Sequence, residues 1–454
     1  MSGDVVTELV GELGEGAVVT SRAAMESYRR DATSTQPGAP LAVVRPRTTG
    51  EVQATMRWAS RHGIAVVPRG AGTGLSGGSL AVDGAVTLSL DRMTAIVVDP
   101  DTRTAVVEPG ALNADVKKAA AEHGLWYPPD PASFDLCSIG GNLATNAGGL
   151  CCVKYGVTAD YVLGLDVVLA DGALVALGGK RVKDVAGLPL LRLFVGSEGT
   201  LGIITGATLR LVPAPAPAST LVATFPDPVA AARTVVAVGR RLRPSMLELM
   251  DGSAINAVED LRSFGLDRDA GALLLIRSDA PGTARTAEVA EVARICDEHG
   301  ALTVFHTDDA DEGELFAAAR RAFAGAVDRR GTVLHEDVGV PVPRLPEVLA
   351  GIRDIAARHG LDIPVVAHAG DGNCHPLVVY DASDPDSVAR AQAAFQAIMR
   401  LAISLGGTIT GEHGVGRIKA QALPEQLGPD IMALTRRVKD ALDPQGILNP
   451  GAVL

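Results

Sequence analysis

Aromatic side chains, net positive charge and long apolar runs are all scarce in this 454-residue sequence. Phe, Trp and Tyr make up 3% of the chain, so Ala, Val, Leu and Ile must build the core. The chain has 41 Lys and Arg against 53 Asp and Glu, and its formal net charge of −12 argues against nucleic acid or anionic lipid as a partner. No run reaches the ~18 apolar residues that a membrane helix needs. The acidic N-terminus does not fit a signal peptide. We expect a cytoplasmic protein without a membrane span.

Cysteine is also rare, with five residues, an odd number, and no CxxC spacing. This pattern argues against a disulfide framework and against a cysteine-ligated iron–sulfur cluster. The adjacent pair Cys151 and Cys152 could form a redox device, but two buried small residues are the favoured interpretation.

Alternating prolines at 213, 215 and 217 mark one domain boundary, because they sustain neither a helix nor a central strand. Before this boundary, short strand patterns alternate with glycine clusters and with helical patterns at 49–61 and 112–123. After it, strands such as 272–276 alternate with longer helical patterns, at 228–241, 284–299, 312–330, 343–359 and 384–405. We place the domains at residues 1–212 and 219–410, with a Pro/Ala linker at 213–218 and a C-terminal segment at 411–454.

The first half is unusually rich in glycine, and its densest cluster lies at residues 68–78 (PRGAGTGLSGG), called here the first glycine segment. It contains the G-x-G-x-x-G spacing of dinucleotide-binding loops at Gly72, Gly74 and Gly77. Such a loop must open a helix, whereas residues 79–90 have the pattern of turns and a strand. We therefore expect consecutive backbone amides to surround phosphate without a helix.

Two more clusters repeat this composition: the second glycine segment at 138–149 (SIGGNLATNAGG) and the third at 196–204 (GSEGTLGII). Each of them alone is typical of a turn or of close packing. Three in one domain indicate a long, phosphate-bearing ligand that lies across the backbone.

The order of these segments, with PPDPAS at 128–133 between the first two, resembles the FAD-binding domain of the vanillyl-alcohol oxidase/para-cresol methylhydroxylase (PCMH) superfamily. Within it, the chain is similar to the FAD-linked 2-hydroxy-acid dehydrogenases, from about residue 35 to ILNPG at 447–451. This family includes D-lactate dehydrogenase, the flavin subunit of glycolate oxidase and D-2-hydroxyglutarate dehydrogenase. The resemblance implies an α+β fold with a two-subdomain PCMH-type FAD-binding domain, a second α+β domain with a ferredoxin-like antiparallel sheet, and a C-terminal helical tail returning to the flavin.

The resemblance also implies which residues bind FAD. They are Arg69, Gly70, Ala71, Gly72, Thr73, Gly74, Leu75, Ser76, Gly77, Gly78, Pro129, Asp130, Ser138, Ile139, Gly140, Gly141, Asn142, Thr145, Asn146, Gly148, Glu198, Gly199, Gly202, Ile203, Ile204 and Asn449. Some relatives attach FAD covalently to a histidine. Because these segments contain no histidine, we expect non-covalent FAD.

A candidate metal site follows from residues 365–379 (VVAHAGDGNCHPLVV), where two apolar runs flank the turn formers at 370–373. A four-residue hairpin loop would pair Ala369 with Cys374 and place His368 opposite His375. Opposed residues share one face of the sheet with Cβ atoms ~5 Å apart, which suits two imidazoles binding one ion. Strand alternation turns Cys374 to the other face.

A third ligand is available in residues 408–416, where Glu412 and His413 lie between Gly411 and Gly414. Two histidines and one carboxylate leave coordination positions open, as in catalytic sites; a solvated loop is the alternative. HAGDGNCH and GEHGVG resemble the family's metal motifs. The resemblance implies that His368, His375 and Glu412 hold a divalent ion, usually zinc. It further implies His413 as the base and Arg320 as the ligand of the substrate carboxylate, and Asn373 at the turn is a further candidate for contact with substrate.

The implied reaction is oxidation of a 2-hydroxy acid to the 2-oxo acid, with hydride transfer to the flavin. Dicarboxylate-specific relatives carry a lysine in the segment that matches residues 333–341, and this chain has His335 there. This difference favours D-lactate or glycolate over D-2-hydroxyglutarate. Glu336 and Asp337 would repel a second substrate carboxylate if they faced the site.

The sequence leaves several alternatives open. The electron acceptor could be a quinone, a cytochrome, oxygen or a partner subunit carrying a flavin or an iron–sulfur cluster, and a homodimer is the default oligomer. The competing functions are a metal-independent FAD-linked oxidase or transferase of the same fold, a flavin-free zinc hydrolase, and a non-catalytic binding module. Flavin and metal content separate them.

Overall fold

The computed structural model describes residues 2–454, which form two compact units. Unit 1 comprises the chain up to Ala147, Val157–Ala214 and His413–Leu454, and unit 2 comprises Gly148–Gly156 and Pro215–Glu412. The chain thus passes from unit 2 to unit 1 between Glu412 and His413. Among residues 2–454, no helix combines the length and the apolar composition that crossing a membrane requires.

The helices, in chain order, are α1 (Ser2–Leu13), α2 (Arg22–Met25), α3 (Thr49–His62), α4 (Asn113–Ala121), α5 (Ile139–Thr145), α6 (Cys152–Tyr155), α7 (Leu191–Phe194), α8 (Pro228–Gly239), α9 (Gly252–Leu261), α10 (Thr283–Glu298), α11 (Ala310–Arg321), α12 (Phe323–Val327), α13 (Leu345–His359), α14 (Pro385–Ser404) and α15 (Leu423–Leu442).

The strands are β1 (Val18–Val19), β2 (Ala42–Val44), β3 (Val66–Arg69), β4 (Val86–Ser89), β5 (Ile96–Asp99), β6 (Thr104–Val107), β7 (Leu125–Trp126), β8 (Val162–Val168), β9 (Leu174–Gly178), β10 (Ile203–Arg210), β11 (Val212–Pro213), β12 (Ser219–Phe225), β13 (Met246–Asp251), β14 (Ala272–Ser278), β15 (Thr303–Thr307), β16 (Thr332–His335), β17 (Val338–Gly339), β18 (Val365–His368) and β19 (Asn373–Tyr380).

Unit 1 contains two main sheets, as a two-subdomain FAD-binding domain requires. The first has the order β1-β2-β4-β3, with β2, β4 and β3 parallel. The second is antiparallel with the order β5-β6-β10-β8-β9. Helix α3 begins where Thr48 Oγ1 accepts the Glu51 amide at 3.2 Å and ends at Gly63 in the left-handed region. Its apolar face, with Val52, Met56 and Ala59, packs in the core of the first sheet.

Unit 2 is built on one antiparallel sheet in the order β15-β12-β14-β13-β18-β19-β16, with β17 also paired to β19. Strands β12 to β15, with α8 and α10, have the βαββαβ connectivity of a ferredoxin-like domain, with α9 inserted between β13 and β14. The second half of the sheet joins at the β13–β18 pair, where Leu249 lies opposite Ala367. One face carries Met250 and Val366, which belong to the core cluster packed against α9, α11 and α12. The α+β prediction is therefore confirmed in both units.

Two local predictions differ from the structure. The expected helix at 312–330 is two helices, α11 and α12, separated at Ala322, whose amide donates both to the Ala318 carbonyl and, in the tighter i→i−3 pattern, to the Ala319 carbonyl at 3.2 Å. The second glycine segment contains α5, whose N-cap Ser138 accepts the Gly141 amide at 3.3 Å. The N-cap serine offsets the low helix propensity of the two glycines that follow it.

Candidate active site

The β18–β19 hairpin brings the two predicted metal-binding histidines to one face of the unit 2 sheet, with a register that differs from the prediction. His368 lies opposite Asn373, and Val366 lies opposite His375, so the pairing is shifted by two residues. Because side chains alternate with a period of two, this shift leaves both imidazoles on one face and Cys374 on the other. The loop is residues 369–372, and Gly372 adopts the positive φ that the turn requires.

His368, His375 and Glu412 form a compact group of possible metal ligands. Nε2 of His368 lies 3.1 Å and Nε2 of His375 lies 3.3 Å from Oε1 of Glu412. The two imidazole centroids are 4.9 Å apart with their planes at 83°. In a tetrahedral zinc site with bonds of 2.0–2.1 Å, ligand atoms are about 3.3 Å from one another. The three side chains therefore fit a divalent ion with a position left open.

Glu248 holds His368 from the side opposite Glu412. Its Oε1 and Oε2 lie 2.8 and 2.9 Å from Nδ1 of His368. Burial alone would lower the pKa of the His368 imidazole, but the Glu248 and Glu412 carboxylates raise it well above its ordinary value. Burial opposes ionisation of Glu412, but His368 and His375 hold the pKa of its carboxyl well below its ordinary value. Glu412 is therefore ionised, as a metal ligand must be.

Asp337 fixes the backbone that presents Glu412. It is fully buried, and its Oδ2 accepts the Gly411 and Glu412 amides at 2.8 and 3.0 Å and the Thr410 hydroxyl at 2.7 Å. Its Oδ1 lies 3.6 Å from Nδ1 of His375. Asp337 is thus bound by protein donors, which makes it a structural anchor of the metal group.

Arg320, the predicted carboxylate-binding residue, lies on α11 and is 4% exposed. Its Nε lies 2.9 Å from Oε2 of Glu248, the carboxylate that also holds His368. This contact is an ion pair without hydrogen-bond geometry: Nε and Nη2 are both buried and neither has a hydrogen-bond acceptor among residues 2–454. A buried cationic donor without an acceptor fits an anionic ligand.

Asn373 and His413, the other two predicted catalytic residues, are positioned by hydrogen bonds to the protein. The Asn373 amide nitrogen donates to Asp337 Oδ1 at 2.7 Å and to the Val338 carbonyl at 3.1 Å, so the protein itself uses both of its protons. His413 follows Glu412 in the chain and begins the C-terminal segment of unit 1. Its carbonyl accepts the Ser76 hydroxyl at 3.0 Å, which fixes its backbone to the first glycine segment.

The three glycine segments, predicted to share one ligand, are joined by hydrogen bonds within unit 1, which contains the second segment up to Ala147. The Ala71 amide donates to Ser138 Oγ at 3.1 Å, which links the first segment to the second. The Gly196 amide donates to the Leu143 carbonyl at 2.8 Å, which links the second to the third. A Cβ on Gly70 would lie 2.3 Å from Ser138 Oγ, so this contact requires glycine.

The first glycine segment presents a row of unused backbone donors. Among residues 2–454, no acceptor is present for the amides of residues 72–78. The carbonyls of Gly77 and Gly78 accept Arg417 Nη1 at 2.7 and 3.1 Å, and Gly78 also accepts Asn449 Nδ2 at 2.9 Å. The carbonyls of Gly77 and Gly78 are thus bound by protein donors, while the seven consecutive amides of residues 72–78 remain for a ligand. This row fits the diphosphate of FAD.

Arg69 supplies positive charge beside this row. The residue is 8% exposed, and its Nη1 has no hydrogen-bond acceptor within the described chain. A Cβ on Gly72 would lie 2.0 Å from Arg69 Nη2, and Gly72 has a φ of +77°. Glycine at 72 therefore lets the guanidinium fold against the backbone of the segment, where it favours an anion.

The C-terminal tail contacts the same region of unit 1 through hydrogen bonds of Asn449. The Asn449 amide donates to the Val66 carbonyl at 2.8 Å. Its side chain donates to the carbonyls of Gly78 and Glu198 and accepts Arg417 Nη2 at 2.7 Å. Asn449, predicted to bring the tail to the flavin, therefore joins the first and third glycine segments with a side chain whose hydrogen bonds are made to protein.

Glu198, another predicted FAD residue, is also engaged by protein. Its carboxylate accepts the Val415 and Gly416 amides at 2.7 and 2.9 Å. Burial raises the pKa of Glu198 to about 7, against the opposing effect of these two amides and of Arg417. Glu198 therefore anchors the backbone that follows His413.

The other predicted FAD residues lie around α5 and at the start of β10. Asn113 Nδ2 donates to the Pro129 carbonyl at 3.2 Å and to Asn142 Oδ1 at 3.0 Å, which ties the PPDPAS segment to α5. Asn146 ends α5 at a φ of +53° and accepts the Ala159 amide at 2.8 Å. Helix α5 contains Ile139, Gly140, Gly141 and Thr145. The third glycine segment contains Gly199 and Gly202, together with Ile203 and Ile204 at the start of β10. Asp130 lies in the loop before Pro131.

Gly148 differs from the rest of this set because it belongs to unit 2. A Cβ on Gly148 would lie 2.5 Å from Oε2 of Glu412 and 3.1 Å from Sγ of Cys152. The structure therefore places this predicted FAD residue against a predicted metal ligand.

Sequence reasoning missed three residues that hold the candidate sites: Glu248, Asp337 as an anchor, and Arg417. Glu248 carried a signal, because it is a single acid among the apolar residues of MLELM, and a charge within a buried strand requires a partner. Arg417 carried none, since its partners, backbone carbonyls and the Asn449 side chain, lie far away in the sequence.

Comparisons with known proteins show the family to which the chain belongs. Models described as "FAD binding domain" and "FAD linked oxidases, C-terminal domain" match residues 40–178 and 214–453. The glycolate oxidase subunit GlcD of Bacillus subtilis is 41% identical over 451 residues, 99% of this chain and 96% of that protein. D-lactate dehydrogenase of Archaeoglobus fulgidus is 37% identical over 419 residues, 91% of each chain. The crystal structure of p-cresol methylhydroxylase with substrate bound matches with a TM-score of 0.85 at 19% identity, covering 99% of this chain and 96% of that one, which shows a shared fold.

Proposed function

Because this chain belongs to the family of FAD-linked oxidases, we propose that it oxidises a small 2-hydroxy acid, glycolate or D-lactate, to the 2-oxo acid with the help of a divalent ion, zinc. It is an FAD-linked oxidoreductase of the glycolate oxidase and D-lactate dehydrogenase type. The observation that carries the proposal is the convergence of His368, His375 and Glu412, with Arg320 held by a carboxylate that also holds His368.

The two bound groups divide the chemistry between them. Bound FAD would supply the hydride-accepting chemistry at the substrate α-carbon. The divalent ion, when bound, lowers the pKa of the substrate hydroxyl. Residues 72–78, with Arg69, would hold the FAD diphosphate non-covalently, and His368, His375 and Glu412 would hold the ion.

The side chains of the protein would supply the remaining functions. Arg320 Nη2, a buried donor, would bind the substrate carboxylate and orient the molecule. His413 would accept the hydroxyl proton as the α-hydrogen leaves with its electron pair, so that the C–O bond becomes the carbonyl of the 2-oxo acid. Water exclusion is favoured by the burial of Glu248, His368 and Arg320.

Preference for a small substrate is supported by His335 and its partner. His335 is the last residue of β16 and lies two residues before Asp337 in the chain. Its Nε2 is 3.3 Å from Oδ1 of Asp328. An imidazole paired with a carboxylate is a poor ligand for a second substrate carboxylate. We therefore favour glycolate and D-lactate over D-2-hydroxyglutarate.

The test is an anaerobic titration of the purified, metal-analysed protein with glycolate, D-lactate, L-lactate and D-2-hydroxyglutarate, followed at the flavin band near ~450 nm. We expect glycolate or D-lactate to bleach the band, and chelation to abolish the bleaching. Bleaching that survives complete metal removal would indicate a metal-independent oxidase. A yellow protein that no hydroxy acid reduces would contradict the proposal.

A further inference from the structure

We propose that Glu248 is a positioning residue that sets a metal-ligand imidazole and a substrate-binding guanidinium at a fixed separation, so that the ion and the carboxylate site form one coupled unit. The inference rests on the proposed function for the roles of His368 and Arg320. It assigns a role to a residue that touches neither the ion nor the substrate.

Strand pairing places Glu248 beside His368. Leu249 lies opposite Ala367 in the antiparallel β13–β18 pair, so the preceding residue, Glu248, faces His368 on the same side of the sheet. Both side chains are buried, at 1% and 4% exposure. A rigid pair of central strands therefore fixes this contact.

The carboxylate of Glu248 serves two donors at once. Both oxygens lie within 2.9 Å of Nδ1 of His368, and Oε2 also lies 2.9 Å from Nε of Arg320. A buried carboxylate is stable only when it is paired, and here one anion is shared by an imidazole on β18 and a guanidinium on α11. Movement of either partner would therefore be transmitted to the other.

This arrangement prepares both partners for their ligands. An Nδ1–H that donates to Glu248 leaves the Nε2 lone pair of His368 facing Glu412, where the ion would bind. Arg320, ion-paired with Glu248 through Nε, keeps Nη2 for a carboxylate, and Nη2 is buried with no hydrogen-bond acceptor among residues 2–454. Glu248 thus selects the tautomer of one residue and the orientation of the other.

Glu248→Gln is the informative substitution, because glutamine keeps the shape but has only one acceptor oxygen. It has no negative charge to pair with the Arg320 guanidinium, and its NH2 group, in the place of Oε1, would face the Nδ1–H of His368. The matched control is Glu259→Gln, a buried glutamate of unit 2 that accepts the Phe264 and Leu266 amides and touches neither candidate site.

We would measure the zinc dissociation constant by chelator competition, the visible spectrum of the cobalt-substituted protein, and KM and kcat separately. For Glu248→Gln we expect zinc affinity to fall about 10- to 100-fold, the cobalt spectrum to change, and KM to rise, with FAD content unchanged. Glu259→Gln should keep the zinc affinity, the cobalt spectrum and KM of the wild type.

Zinc affinity and KM within twofold of the wild type in Glu248→Gln would overturn the inference while leaving the proposed function intact. A wild type that binds no divalent ion would overturn both. If the variant does not fold, the nitrogen chemical shifts of 15N-histidine-labelled wild type with zinc decide the matter. We expect His368 to be protonated at Nδ1, and a zinc-bound or unprotonated Nδ1 would contradict the role of Glu248.

Discussion

The two units build their candidate sites from different parts of the polypeptide. In unit 1 the donors are the backbone amides of residues 72–78. The carbonyls of Gly77 and Gly78 in the same segment accept hydrogen bonds from Arg417. In unit 2 the ligand atoms belong to side chains on the sheet face and to Glu412. A backbone site depends on the absence of side chains, and a side-chain site depends on their identity. Substitutions should therefore damage the two sites independently and by different mechanisms.

The largest expected effect is the loss of one imidazole in unit 2. We expect His368→Ala to lose bound zinc and to slow flavin reduction by hydroxy acid about 1000-fold or more, because the ion loses a ligand and Glu248 loses its partner. FAD content should stay unchanged. Metal analysis and stopped-flow reduction measure this.

The control is Cys374→Ala, on the opposite face of the same hairpin, which should keep its metal. If His368→Ala released FAD as well, the independence of the two sites would be refuted.

The reciprocal substitution in unit 1 is Gly416→Ala. A Cβ at this position would lie 1.9 Å from the Ser76 carbonyl oxygen, and the residue has a φ of +51°. Both effects disturb the backbone next to the first glycine segment, so we expect FAD affinity to fall about 100-fold while zinc binding stays unchanged. Equilibrium titration of the apoprotein with FAD measures this.

Gly239→Ala is the matched control, since its Cβ would meet nothing within 4 Å and its φ is ordinary. Equal FAD affinity in the wild type and Gly416→Ala would show that the glycine is dispensable.

Sequence patterns identified what each site is made of, but not how its parts are fixed. The three glycine segments and the two histidines were predicted from composition and turn formers, and the structure brings each set together. The hairpin register was wrong by two residues because the sequence does not show which turn formers lie in the loop, yet alternation preserved the shared face. The anchors Glu248 and Arg417 depend on partners from distant segments, which local patterns do not encode.

A smaller expected effect is the dependence of folding stability on pH that the buried Glu198 of unit 1 causes. Burial raises the pKa of Glu198 to about 7, from an ordinary value of 4.5. The folded state therefore binds more protons than the unfolded chain between these values, and this contribution to stability, full below about pH 4.5, is lost as pH rises through about 7. It corresponds to about 3 kcal/mol at most.

Glu198→Gln should flatten the pH dependence of the unfolding free energy between pH 4.5 and 7, measured by denaturant titration at several pH values. The exposed Glu298→Gln is the control. Identical slopes in Glu198→Gln and the wild type would argue against a raised pKa.

The smallest expected effect distinguishes a loss of FAD affinity from a loss of protein stability. A Cβ on Gly74 would meet nothing within 4 Å, and its φ is not in the left-handed region. If FAD occupies the space beside this amide row, we expect Gly74→Ala to leave the thermal stability of the apoprotein unchanged and to weaken FAD binding about tenfold. Unchanged FAD affinity would mean that the cofactor does not approach Gly74.

The most direct test of the central claim is stopped-flow reduction of the bound flavin by glycolate and by D-lactate, before zinc removal, after it, and after zinc is restored. The account predicts that FAD stays bound throughout, that zinc removal abolishes reduction by the hydroxy acid but not by dithionite, and that added zinc restores it. Equal reduction rates in the zinc-free and the zinc-loaded protein would contradict a metal-assisted site at His368, His375 and Glu412.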